Sequence, residues 1–343
     1  MGRSTKESKK QQAGAKEQPI LFGNSNPDNS LFNQLKIFVV FHMLYVIAPF
    51  GFALSPIVVI VFAPEIYQKA FGVLAIILYS LTFDGSHKKS GRPWEWFLNT
   101  SLVKMMVEWN PIRILRTAEL DAEKLYVFGC HPHGTLAYNR AAVGFSTDTL
   151  WNAAFPGIKF RVLTATAAFF VPVIRELWLW SYCVDASKPV AVRVMKEHGC
   201  SVFVYPGGEK EQLETEYGKH KLVLRERKGF VKLAMQQGAD LVPVYAFGET
   251  SLYNHHQVGI GLRKWLQKRF GVAIPLVSGE WGMMPYRRPV TLVFGKPIAV
   301  TPCADPTAAE LDSLHATYMQ VLQDLFDEHK ADMGYAKCEL EWL

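Results

Sequence analysis

The chain has 343 residues, 49% of them hydrophobic and 20% charged, with a net charge of +6. That balance excludes a disordered chain and leaves room for one large domain plus a membrane segment. The basic excess is spread along the chain without the fingerprint of a nucleic-acid fold, so no nucleic-acid partner is expected; anionic lipid heads or the phosphates of a carrier suit it better. Five scattered cysteines, Cys130, Cys183, Cys200, Cys303 and Cys338, form no C-x-x-C, which argues against a disulfide framework or a zinc knuckle.

Residues 1–30, rich in Lys, Gln, Ser, Asn and Gly, read as a disordered polar tail. They lack the apolar core of a secretory signal, and Lys6 stands where a myristoylation motif needs Ser or Thr. Residues 31–90 read as a membrane-embedded hairpin. Ile37 to Ala63 contains no Asp, Glu, Lys or Arg, a run about long enough to cross a bilayer core, with Pro49 and Pro56 expected to kink it. A second run, Ala70–Phe83, is short for a spanning helix and fits a re-entrant path. Lys6, Lys9, Lys10, Lys16 and Lys36 precede the pair, and His87, Lys88, Lys89 and Arg92 follow it, which puts both ends on the cytosolic side.

Residues 91–343 read as an α/β domain, a sheet flanked by helices. Short apolar runs at Leu125–Gly129, Phe160–Thr166, Cys200–Tyr205, Leu241–Phe247 and Val290–Phe294 suit strands buried on both faces. Helices are expected at Lys188–His198, ended by Gly199, and at Gly229–Gln237, ended by Gly238. Leu311, Leu314, Tyr318, Leu322 and Leu325 mark the core-facing stripe of a last helix, with Asp305 as its cap and Pro306 at its first position.

Four clusters could carry chemistry. His131-Pro132-His133-Gly134 follows a strand, and an imidazole there has the right pKa to strip a proton from a hydroxyl as it attacks. In Tyr205-Pro206-Gly207-Gly208-Glu209-Lys210-Glu211, adjacent glycines can turn amides toward an oxyanion or phosphate, while Glu209 and Glu211 can orient an imidazole. Arg227-Lys228-Gly229, within a basic stretch opening a helix, and Arg288 beside Arg287 suit a polyanion. Glu249 closes the strand Leu241–Phe247 and faces the same cleft. There is no G-x-S-x-G elbow, H-E-x-x-H or Walker loop.

Together these blocks resemble the type 2 diacylglycerol acyltransferase family with its monoacylglycerol and wax-alcohol relatives. His131-Pro132-His133-Gly134 matches HPHG, and Pro206-Gly207-Gly208 with Glu211 resembles PGG-x-x-E. Arg227-Lys228-Gly229-Phe230 resembles RKGF, and Val242-Pro243-Val244 through Gly248-Glu249 resembles VPV…GE. Pro285-Tyr286-Arg287-Arg288-Pro289 and Gly295-Lys296-Pro297 follow in order. Trp109-Asn110-Pro111 stands where the family often has Tyr-Phe-Pro, and the H-x-x-x-x-D of the wider superfamily is absent, since Leu136 and Tyr138 hold its acidic positions.

The resemblance implies an acyl-CoA donor, no cofactor or metal, and a neutral glycerolipid acceptor, diacylglycerol, giving triacylglycerol. His133 would be the general base, supported by His131, with Glu209, Glu211 or Glu249 as its acidic partner. The oxyanion would lie near Gly207 and Gly208, with Gly134 and Pro206 shaping the pocket. Arg227, Lys228 and Arg288, with the Gly229 turn, would hold the carrier's phosphates. Acyl transfer would be direct, with Cys130 as the one alternative nucleophile. The expected place is the endoplasmic reticulum membrane or a lipid droplet surface, catalytic domain toward the cytosol, among membrane lipids; a homo-oligomer stays open. Monoacylglycerol or a long-chain alcohol is the alternative acceptor. A metal-dependent amidohydrolase, drawing on His198, His220, His255 or His256, and a non-catalytic lipid-binding protein are the remote alternatives.

Overall fold

The computed structural model describes residues 20–22, 30–146, 150–270 and 273–343. At its centre is an eight-stranded sheet built from β1 (Ile20–Phe22), β2 (Ile112–Arg116), β3 (Tyr126–His131), β4 (Phe160–Thr164), β5 (Cys183–Asp185), β6 (Ser201–Val204), β8 (Asp240–Phe247) and β11 (Val290–Phe294). The order is β1-β2-β11-β8-β3-β6-β4-β5. β8, β3, β6, β4 and β5 run parallel, whereas β11 is antiparallel to β8, and β1 to β2. Two small pairs lie apart: β7 (His220–Leu222) with β12 (Leu340–Trp342), and β9 (Asn254–His255) with β10 (Val277–Ser278).

Alternation along each strand feeds two cores. Phe128 stacks on its register partner Phe203, ring centroids 4.6 Å apart, and packs with Trp151 and Phe294 on one face. Val127 and Val202 point to the other face, which the helices Lys188–His198, Gly229–Gln237 and Ala308–His329 cover. Gly129 makes room there: a Cβ would stand 2.9 Å from Tyr318 Cζ and closer still to its hydroxyl.

Three expectations change. Ile20–Phe22, inside the segment read as tail, pairs with β2 (Ile20 opposite Arg116) and covers a sheet edge that β2 would otherwise present to solvent; residues 1–19 and 23–29 lie outside the described residues, and the disordered tail with them. The last helix starts at Ala308, not at Pro306. Thr307 caps it, its hydroxyl accepting from the Glu310 N–H at 3.3 Å while Glu310 accepts from the Thr307 N–H at 2.8 Å, so two donors are satisfied where Asp305 would satisfy one.

The apolar N-terminal part is a broken helix, as expected, but Pro56 makes no break in it. Leu31–His42 passes through a π turn, Met43–Ile47, into Ala48–Phe62, and Ile66–Ser80 folds back on it. Among the described residues no single helix is long and apolar enough to cross a membrane; the pair Leu31–Tyr45 and Ala48–Phe62, bent by 45°, is so when taken together. The bend falls just before Pro49, and Pro56 lies inside a continuing helix. The first helix is tied to the domain, with Ile37 packed against Trp109 and Met284.

Gly129→Ala should therefore lower stability by about 1–3 kcal/mol, because the buried Tyr318 must yield. Denaturant unfolding of the detergent-solubilised protein measures it, and an unchanged midpoint would contradict the packing.

Candidate active site

Three of the four sequence clusters meet at the carboxyl ends of three adjacent parallel strands: HPHG after β3, Tyr205-Pro206-Gly207-Gly208 after β6, and Gly248-Glu249 after β8. That edge is where strand carbonyls end and loops must turn, the usual place for a cleft in such a sheet.

The two histidines do different things. His131, fully buried, still belongs to β3 and faces the C-terminal helix. Its Nε2 lies 3.0 Å from the Tyr318 hydroxyl, which itself donates to the Gly129 carbonyl at 3.0 Å. That hydroxyl has one hydrogen, so Nε2–H must be the donor to it, and the buried Nδ1 has no partner. Burial, with His315 nearby, drives the His131 pKa down to about 3. His131 is thus a neutral structural residue. It makes no hydrogen bond to His133 among the described residues, and the expectation that it supports the base directly is corrected.

His133 is half-buried. Its Nδ1 is 3.0 Å from the Gly134 carbonyl oxygen, a bond that only Nδ1–H can make, which leaves the Nε2 lone pair as the free base. Burial lowers its pKa, so the ring is neutral and able to accept a proton at neutral pH. Its ring meets Tyr205 edge-on, centroids 5.3 Å apart.

None of the three expected acidic partners reaches the imidazole; a backbone carbonyl orients it instead. Glu211, buried, accepts the His133 backbone N–H through Oε1 and the Val223 N–H through Oε2 at 2.7 Å. Glu249, also buried, accepts the Tyr138 and Asn139 N–H groups, each at 2.8 Å. Burial pushes both carboxyls up to about 7, and the amide donors only partly oppose it. Glu209 turns away toward Gln267, its pKa raised by partial burial. Gly134, at φ +63°, would put a Cβ 2.5 Å from Glu249, and a Cβ on Gly207 would overlap the Glu211 carboxylate.

The remaining expected residues divide. The Gly208 amide donates to the Tyr205 carbonyl at 3.0 Å, so it is already committed, and Pro206 is half-buried in the same turn. Lys228 pairs with Asp312 at 2.6 Å just before the helix that begins at Gly229, whereas Arg227 is exposed. Arg288 is exposed and its carbonyl accepts from Asn110 Nδ2 at 2.9 Å. Burial raises the Cys130 thiol far above its usual range, so it is no ready nucleophile. Among the described residues no group of three or more His, Cys, Asp or Glu side chains could hold a metal.

Sequence reasoning missed three parts. Asn139, fully buried, is a hub: its Oδ1 accepts from Tyr205 Oη at 2.7 Å and its Nδ2 donates to the Pro132 carbonyl at 3.3 Å. Arg140 is buried beside it. A polar pair in an otherwise apolar run was the only available signal. The third part is a cavity of about 390 Å³ next to the histidine loop. Leu136, Tyr138 and Arg140 line one side, and Phe41 and Tyr45 of the N-terminal helices line another. Trp109 adds a further wall, held by its Nε1–H on the Pro285 carbonyl at 2.8 Å.

Residues 60–341 match the family model described as diacylglycerol acyltransferase. Diacylglycerol O-acyltransferase 2 of Homo sapiens is 32% identical over 324 residues, covering 90% of this chain and 82% of that protein. 2-acylglycerol O-acyltransferase 1 of Bos taurus is 35% identical over 266 residues, covering 74% of this chain and 79% of that protein. A solved structure, the 1-acyl-sn-glycerophosphate (LPA) acyltransferase PlsC from Thermotoga maritima, aligns over 87% of this chain and 98% of its own at a TM-score of 0.41 and 12% identity.

The raised pKa of Glu249 has a pH signature. Between its ordinary 4.5 and about 7 the folded chain keeps a proton that the unfolded chain has released. Its contribution to stability is full below pH 4.5 and fades as pH rises through 7, by up to about 3 kcal/mol. Glu211 titrates over the same window, so Glu249→Gln should lessen the pH dependence of unfolding there by about half, measured by denaturant titration; an unaltered slope would count against the assignment.

Proposed function

The chain belongs to the diacylglycerol acyltransferase family, and from that premise we propose that it transfers a fatty acyl group from acyl-CoA to the free hydroxyl of diacylglycerol, making triacylglycerol. The observation that carries the reading is the free Nε2 of His133, on the same short loop that lines an apolar cavity. A lipid hydroxyl is too weak an acid to ionise by itself; it needs a neutral base at the mouth of a dry site.

The reaction runs as a direct transfer. Nε2 takes the hydroxyl proton while the oxygen attacks the thioester carbonyl carbon. The tetrahedral intermediate collapses, the C–S bond breaks toward sulfur, and the thiolate leaves with the proton from the imidazolium. Nδ1–H stays on the Gly134 carbonyl throughout and steadies the imidazolium. Of the three expected cations, Arg227 and Arg288 are exposed and can meet the phosphates of coenzyme A, whereas Lys228 would first have to leave Asp312. Monoacylglycerol is the second acceptor to test, given the 2-acylglycerol O-acyltransferase relative.

We also propose that residues 31–90 embed in the endoplasmic reticulum membrane or the surface of a lipid droplet, with the catalytic domain toward the cytosol. The supporting features are the outward apolar side chains of Phe50, Phe52, Phe62, Ile66 and Phe71, each more than 60% exposed. Gly72 adds to them, because its lack of a side chain lets the two helices approach.

His133→Ala should cut transfer of labelled acyl groups to diacylglycerol by on the order of 10²–10⁴ while leaving the unfolding midpoint in place; near-normal turnover would end the base assignment. In isolated microsomes the full chain should stay with the membrane through an alkaline carbonate wash. Recovery in the supernatant would argue against an embedded hairpin.

A further inference from the structure

Among the described residues two arginines are buried, Arg140 and Arg175, and the reaction as described uses neither; Arg175 is paired with Asp84 and Glu176, whereas Arg140 is not paired. It is only 8% exposed, and it makes no ion pair and no side-chain hydrogen bond among the described residues. Its Nε is sealed from solvent without an acceptor. The guanidinium lies 3.5 Å from the ring centroid of Trp178, so its face is covered. Its edge, where all five N–H donors point, meets no acceptor among the described residues. Glu249 feels the charge of Arg140, but both its oxygens already hold the Tyr138 and Asn139 amides. A buried charge left in this condition is costly, and an apolar cavity gives bridging water few partners. A site that keeps such a group is shaped for something that arrives with an acceptor.

The cavity defines what can arrive. Arg140 is one of its walls, and most of the others are apolar, Phe41, Met106 and Leu177 among them, with the tyrosine rings of Tyr45, Tyr138 and Tyr253 between them. The occupant is therefore mostly hydrocarbon with an oxygen at one point. A phosphate head does not suit so apolar a wall, whereas the carbonyl oxygen of a fatty ester or thioester does. Arg140 also lies seven residues beyond His133 on the same loop and acts on its imidazole electrostatically, which puts that oxygen near the reacting atoms.

We propose that Arg140 is a substrate-binding residue that donates to an acyl carbonyl oxygen of the chain filling the cavity, and so fixes how deeply the chain sits relative to His133. This rests on the acyltransferase reading of the site. Two sources share the chemistry: the thioester carbonyl of the donor and an ester carbonyl of the acceptor.

The test pairs each ligand with an analogue lacking that oxygen. Binding of palmitoyl-CoA is compared with S-hexadecyl-CoA, and dipalmitoylglycerol with its dialkyl ether, following the fluorescence of the cavity tryptophans in detergent micelles. The wild-type protein should favour the carbonyl form of one pair by about tenfold or more. In Arg140→Gln that preference should collapse toward one, and the pair that collapses identifies the source. Arg140→Lys, which keeps the charge but loses the planar fork, should fall between. Because the unliganded charge has no partner, Arg140→Gln should melt no lower than wild type. Preferences unchanged in both pairs overturn the proposal, and so does a variant that melts well below wild type, which would mark Arg140 as structural. Turnover of labelled acyl-CoA by the wild type, run alongside, reports on the reading itself: no transfer with a collapsed binding preference would sink the reaction and leave the carbonyl anchor standing.

Discussion

Two buried carboxyls set the geometry on which the site depends. A carboxylate taken out of water must be met by donors, and Glu211 and Glu249 each find two backbone N–H groups. Between them they fasten the loop from His133 to Asn139 at both ends, and Glu211 also joins it to the strand-like segment at Val223. The adjoining glycines belong to the same device. At Gly134 and Gly207 the space a Cβ would need is already filled by Glu249 and Glu211. The glycines and glutamates of the separate blocks are thus one interlocked unit, which explains why they occur together although neither glutamate touches the imidazole.

The two histidines diverge because the strand ends between them. Gly129 and His131 lie two apart on β3 and face the same side, so one hydroxyl, that of Tyr318, can serve the Gly129 carbonyl and the His131 ring at once. His133 has left the strand and turns toward Tyr205 and the other core. The first histidine closes the sheet against the C-terminal helix, and the second is left with a free nitrogen.

Much of the frame was legible in the residues. Val290–Phe294, Lys188–His198 and Gly229–Gln237 match the expected bounds, and Gly199 and Gly238 sit at positive φ as helix ends. β2 escaped notice because Arg113 and Arg116 interrupt its apolar pattern, and β5 because three residues are too few to show a period. β7 and β12 pair across more than a hundred residues, a long-range contact that local pattern does not carry. In the site, the sequence placed the right blocks on strand ends but could not say which atom meets which. A glutamate three residues past a glycine pair reads equally well as a partner for a ring or for an amide. The Thr307–Glu310 capping box, by contrast, was visible in the sequence, and the neighbouring Asp305 drew the choice away from it.

The cavity gives the first N-terminal helix a place in the architecture of the site. Ile37, Phe41, Leu44 and Tyr45 are part of its wall, so the first helix and the domain enclose one apolar space between them. An acyl chain must be sheltered along its length while its reacting carbon stays where a proton can move. The loop from His133 to Arg140 spans that change of environment: a half-buried imidazole at one end and a guanidinium set in an apolar wall at the other. Hydrocarbon drives the chain inward, and the polar groups of this loop set where it stops. With its two buried carboxyls holding the loop rigid, the positions of base and cation are fixed before any lipid arrives, so the chain that enters has the ordering cost of only its own bonds to meet.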